Sequence, residues 1–238
     1  MTEKISERLA RVHERIARAA QRAGRSAEDV TLIAVSKTFD SAAVQRAVDA
    51  GARDLGENRV QEAIPKTAAV KGDIRWHLIG HLQSNKARQA VEAFAVIHTI
   101  DSAKLAERLD RVAGEAGRRP KVLVQVDLAH ESAKSGADET ELPPIVEALD
   151  SARHLEFRGL MVLPPFFDSP EQTRPYFHRL REILEGLNRS RAPERKLTEL
   201  SMGMSHDFEV AIEEGATMVR VGTAIFGGRG AVAIEVQD

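Results

Sequence analysis

Two parts of the sequence, far apart in the chain, carry residue types that could act on one ligand. Lys37 follows Ile33-Ala34-Val35-Ser36 and so closes an apolar run. A lysine amine at a strand end can attack a carbonyl and hold it as a Schiff base, because the neutral amine is a nucleophile. Desolvation at the mouth of a fold would favour that neutral form. The competing reading is a lysine whose stem packs on the rim while its ammonium stays in water. The second part is ELSMGMSHDFEVAIEEGATMVRVGTAIFG, residues 199 to 227. It reads as a strand, a Gly/Ser turn, a helix, a second strand and a second Gly-rich turn. Ser201, Gly203, Ser205, Gly222 and Thr223 would supply hydroxyl and N–H donors to a phosphate. Small residues let backbone amides approach an anion, and a helix start adds its positive dipole end.

Arg220 interrupts the apolar strand Met218-Val219-Arg220-Val221. Two-residue alternation puts Met218 and Arg220 on one face and the valines on the other. An arginine inside a fold is costly unless an anion or an acceptor satisfies it, the rival reading being a structural ion pair. Glu57 and Asn58 stand where a strand gives way to a helix; Asn58 could meet a ligand or cap the helix. His77 and His81, four apart, could suggest a metal, but Gly80 lies between them and no third ligand is evident. Lys134, in ESAKSG, is a second cation near a strand end, or a solvated loop lysine. A reactive amine and a phosphate cradle together suggest a phosphorylated carbonyl compound held covalently. Pyridoxal phosphate is the leading candidate.

The elements that must position these residues alternate regularly. Strands are expected at about 30–36, 53–56, 74–79, 94–99, 121–127, 155–161, 197–200 and 217–221. Helices are expected between them, at about 40–50, 58–68, 84–91, 102–116, 140–150, 171–188 and 206–214. Residues 2–23 form an opening amphipathic helix, with Ile5, Leu9, Val12, Ile16 and Ala19–Ala20 on one stripe and Gly24 ending it. Several strands are near-continuous apolar runs, as parallel strands covered on both faces require. Eight such units predict a single-domain α/β fold, a (β/α)8 TIM barrel, with chemistry at the C-terminal strand ends. An open doubly wound sheet is the alternative, weakened by the lack of a G-x-G-x-x-G turn after the first strand.

The bulk numbers agree. The chain has 238 residues, near the roughly 250 of such barrels. A net charge of -2 favours neither nucleic acid nor an anionic membrane. With no cysteine, disulfides and thiol chemistry are excluded. No signal peptide and no apolar run of about 18 residues is present, so a cytoplasmic location is expected.

The segments IAVSKT, GENRVQEA, WHLIGHLQSNK, ESAKSG, RGLMVLPP and SMGMSHDFEVAIEEGATMVRVGTAIFG together resemble the pyridoxal phosphate homeostasis protein family, in family order over residues 33 to 227. The resemblance implies one barrel similar to the N-terminal domain of alanine racemase. It also implies pyridoxal phosphate bound as a Schiff base to Lys37. By position, Ser201, Gly203, Gly222 and Thr223 match the phosphate cradle, and Arg220 matches the arginine facing the pyridine nitrogen. Asn58 matches a pocket residue and Lys134 a second lysine. A guanidinium donates hydrogen bonds and accepts none, so Arg220 would keep that nitrogen unprotonated and the ring a weak electron sink. The function implied is a non-catalytic carrier in vitamin B6 and amino-acid homeostasis, with apo-enzymes as recipients; a monomer is expected, because no further domain or strong apolar patch is apparent. A racemase-type enzyme is the alternative; it is disfavoured because no C-terminal β domain is expected and Tyr176 is the sole tyrosine. A barrel binding another phosphorylated metabolite is a third reading.

Overall fold

The computed structural model describes residues 3–129 and 135–228. Eight parallel strands close into a barrel in simple sequence order. They are β1 (Thr31–Val35), β2 (Asp54–Glu57), β3 (Arg75–Leu78), β4 (Val96–Ile100), β5 (Lys121–Val126), β6 (Glu156–Val162), β7 (Glu199–Met204) and β8 (Met218–Val221). The helices are α1 (Ile5–Arg22), α2 (Ser41–Asp49), α3 (Val60–Ala69), α4 (Ala87–Ala93), α5 (Ala103–Ala116), α6 (Leu142–Ser151), α7 (Arg174–Asn188), α8 (Phe208–Glu213) and α9 (Thr223–Phe226). Every expected strand is present. α9 was not expected; the short turn after β8 winds into one helical turn.

The outward residues of the strands, such as Leu55, Leu78, Val124, Leu160, Val219 and Val221, join the helices in one continuous core. This is the main hydrophobic term of the fold, at roughly 25 cal/mol per Å² of apolar surface removed from water. Helix α1 buries Leu9, Val12, Ile16, Ala19 and Ala20, the stripe read from the sequence, and packs against α2, α8 and α9. Arg8 Nε ties it to the carbonyl of Ile225 at 2.7 Å. The opening helix thus covers the barrel.

Inside the barrel the packing differs. Val96, Leu123 and Met161 form a small apolar group of their own. Around them Asp54, His77, His98, Gln125, Ser201 and Arg220 are all buried. β7 runs further than its hydrophobic pattern suggests. Its pairing with β8 slips between Ser201 and Met204, with Gly203 at φ 88° in between. That left-handed residue lets the strand continue past an irregularity where a turn was expected.

Candidate functional site

The expected site residues come from four neighbouring strands, β7, β8, β1 and β2. Ala34 pairs with Leu55 on one side and Val221 on the other, which sets the three exits side by side. Lys37 therefore stands next to Asn58 and Gly222 in barrel order.

The residue before Lys37 is pinned at both ends. The Ser36 amide donates to the carbonyl of Gly56 at 3.0 Å. Its hydroxyl donates to Glu57 Oε1 at 2.6 Å. Lys66, reaching in from α3, donates to the same carboxylate oxygen at 2.7 Å and to the Ser36 carbonyl at 2.8 Å. Ser36, Glu57 and Lys66 are all buried. Lys37 is exposed, so the desolvation expected at the barrel mouth is not found; it is the support beneath the residue that is buried. Thr38 follows with φ 70°. A β-branched residue in the left-handed region carries strain of about 1–3 kcal/mol.

Asn58 is half-buried, and the helix after it is capped at Arg59 without a side-chain bond, so the capping reading does not hold. Gly80 lets the β3 exit press on the Asn58 backbone: a Cβ there would come within 2.2 Å of the Asn58 carbonyl oxygen. His81 pairs with Asp101 at 3.2 Å on the surface, while His77 is buried, so the two histidines do not converge. Among the described residues no group of His, Cys, Asp and Glu could hold a metal ion.

At the expected cradle, two backbone amides point at one oxygen. The amides of Gly222 and Ala224 converge on the Ser205 hydroxyl oxygen at 3.1 and 3.5 Å. A single oxygen thus already draws two amides, as a phosphate oxygen would. Thr223 opens α9 and is exposed. A Cβ on Gly203 would lie 2.6 Å from Ala211 Cβ and 2.8 Å from Phe208 Cα, so only glycine permits this close passage. Ser201 is placed otherwise than expected. Two-residue alternation carries its buried hydroxyl into the barrel, where it meets Arg220 and His98. Lys134 lies outside the described residues.

Arg220 is buried and satisfied. Nη1 donates to Ser201 Oγ at 2.6 Å, and Nη2 to the Val162 carbonyl at 2.9 Å. Burial pulls its pKa down to about 10, with Asp207 opposing, so it stays charged at neutral pH. Beyond Ser201 the bonds continue: Oγ to His98 Nδ1 at 2.9 Å, His98 Nε2 to His77 Nδ1 at 2.9 Å, and His77 Nε2 to Asp54 Oδ1 at 2.8 Å. Arg75 closes the row on Asp54 Oδ2 at 2.7 Å. Burial lowers the pKa of both histidines; Asp54 opposes this at His77, while the Arg220 charge adds to it at His98. His98 belongs to no motif of the sequence; the available signal is its alternation with Val96 in FAVIHT, which places both on one face.

Residues 8–230 match the family model described as alanine racemase, N-terminal domain. The chain is thus a barrel of the alanine racemase N-terminal class. Alanine racemase of Clostridium difficile shares the fold at 14% identity and a TM-score of 0.65, over 94% of this chain and 61% of that one. Nearer relatives are the pyridoxal phosphate homeostasis proteins of Pseudomonas aeruginosa and Escherichia coli K12. The first is 45% identical over 227 residues, 94% of this chain and 96% of the relative. The second is 41% identical over 232 residues, 94% and 97%. The chain belongs to the pyridoxal phosphate homeostasis protein family. The structure of PipY from Synechococcus elongatus with pyridoxal phosphate bound is also similar, at 46% identity and a TM-score of 0.84, covering 94% of this chain and all of that one, 100%.

Two predictions follow from the buried groups. Lys66→Met leaves the Glu57 carboxylate buried without its cation, which should cost about 3–5 kcal/mol in urea unfolding. Adding Glu57→Gln should recover part of that; a loss below 1 kcal/mol for Lys66→Met, roughly the value of a surface pair, would show that the pair is not a buried support. The second concerns pH. His77 and His98 bind protons more weakly folded than unfolded, so unfolding takes up protons below about pH 6.5. Stability should be full above that pH and fall below it, with the two rings contributing up to about 2.7 kcal/mol per pH unit. His98→Gln should remove about half of this slope; an unchanged slope would show that His98 does not titrate as a buried neutral ring.

Proposed function

We propose that this chain binds pyridoxal phosphate through Lys37 and acts as a non-catalytic carrier in vitamin B6 and amino-acid homeostasis. The observation that supports this most is the arrangement itself. A lysine, a buried arginine and a glycine-lined pair of strand exits lie on four adjacent strands, in a chain 46% identical to a protein solved with that cofactor. When bound, pyridoxal phosphate supplies an aldehyde that condenses with amines and a pyridine ring that withdraws electrons from attached amino acids. Lys37 would hold the aldehyde end. Gly203, Gly222 and Thr223, with the Ser205 hydroxyl, would hold the phosphate. Asn58 would border the ring, and Ser201 would act through Arg220. Lys134 is proposed as a second lysine on the strength of the resemblance alone.

Arg220 gives the physical reason for weak catalysis. Its guanidinium only donates, so facing the ring nitrogen it would keep a proton off that atom. An unprotonated ring stabilises a carbanion poorly. The racemase-type reading rests on the fold shared with alanine racemase. It needs a second base, and Tyr176 sits on α7 with its ring 5.9 Å from that of Phe167. We also propose a monomer located in the cytoplasm that passes its cofactor to apo-enzymes; no helix among the described residues is long and apolar enough to cross a membrane.

The test is uptake of pyridoxal phosphate by the purified chain, followed by incubation with L-alanine and chiral detection of product. The expected result is one cofactor per chain, a visible absorption band and no D-alanine above the free-cofactor rate. Turnover would contradict the carrier reading. No uptake would remove the cofactor assignment.

A further inference from the structure

The polar row inside the barrel has a direction, and both of its ends fix it. Arg220 can only donate, so Ser201 Oγ accepts from Nη1. The hydroxyl has one proton left to give, and His98 Nδ1 stands 2.9 Å away. At the far end an ionised Asp54 can only accept. Burial alone would raise its pKa, but hydrogen bonds from His77 and Arg75 outweigh that and keep it ionised. His77 Nε2 therefore carries a proton and donates to Oδ1. A neutral His77 then offers a lone pair at Nδ1, which fixes a proton on His98 Nε2. That leaves His98 Nδ1 bare, ready for the Ser201 proton. Reading from either end gives the same pattern, with both rings neutral and every donor facing an acceptor. Aligned bonds of this kind polarise one another and hold their members in place.

We propose that His98 and His77, anchored on Asp54, are positioning residues that orient the Ser201 hydroxyl and so fix the Arg220 guanidinium against the ring of the bound cofactor. This row rests on no contact with ligand. It links the lower rim of the barrel, where Arg75 and Asp54 begin β3 and β2, to the upper rim, where Arg220 lies near the end of β8. The role toward the ring rests on the pyridoxal phosphate reading; the direction of the row does not.

Two measurements separate these. The first is long-range ¹⁵N–¹H correlation of the histidine rings in the cofactor-free protein at neutral pH. The expected result is that His77 and His98 are both neutral and protonated at Nε2. A proton on Nδ1 of either ring, or a charged ring, would overturn the row. The second is the ¹⁵N signal of the pyridine nitrogen in bound pyridoxal phosphate. His98→Leu should shift it and weaken affinity on the order of tenfold, while His98→Gln should restore both in part. Covalent attachment at Lys37 should survive in each variant. A pyridine signal unmoved by His98→Leu but moved by Arg220→Lys would show that the row does not position the arginine. If the wild-type chain takes up no cofactor, the cofactor reading fails, and the ring measurement still decides the row.

Discussion

A charged guanidinium inside the barrel is the constraint on which the rest of the interior depends. Arg220 is 3% exposed, and an unsatisfied buried cation would cost several kcal/mol. It must be met by acceptors from other strands. Val162 at the end of β6 supplies a carbonyl, and Ser201 on β7 supplies a hydroxyl. The hydroxyl in turn needs its own acceptor, which brings in His98, then His77, then Asp54. Most barrel interiors are filled with layers of branched apolar side chains. Here one such group, Val96, Leu123 and Met161, is left beside a polar row that crosses the barrel. The interior is specialised to carry one cation at a chosen height.

At the other end of the site the same economy holds for Lys37. The lysine is exposed, and its position is set through Ser36 and the Glu57–Lys66 pair. One oxygen of Glu57, Oε2, is buried without a hydrogen-bond partner, so the carboxylate is held by one side only. The strain at Thr38 sits next to it. Fixed charge below and backbone strain above are the features expected where a reactive amine must be aimed.

Much of this was legible in the sequence. Strands are apolar runs separated by helical stripes, and all eight, with the barrel they imply, are present. Arg220 was legible because a charge in a four-residue strand has only two faces to choose from. Lys66 was not. In sequence it resembles any helix lysine, and the carbonyl it bonds is 30 residues away. The length of β7 was not legible either, because Gly203 looks like a turn signal and instead serves as an irregularity within a strand. Ser201 lies within that strand, ahead of the slip, and its hydroxyl meets Arg220 and His98 inside the barrel. The pairing of His77 with His98 depends on how adjacent strands stack, which periodicity alone does not contain. Lys134 falls outside the described residues, and its place rests on resemblance.

The central claim is that Lys37 holds pyridoxal phosphate. The most direct measurement is borohydride reduction of the cofactor-loaded protein, followed by mass mapping of the peptides. A single reduced pyridoxyl adduct on Lys37, lost in Lys37→Ala, is the predicted result. An adduct carried chiefly by another lysine, or none after loading, would contradict the account.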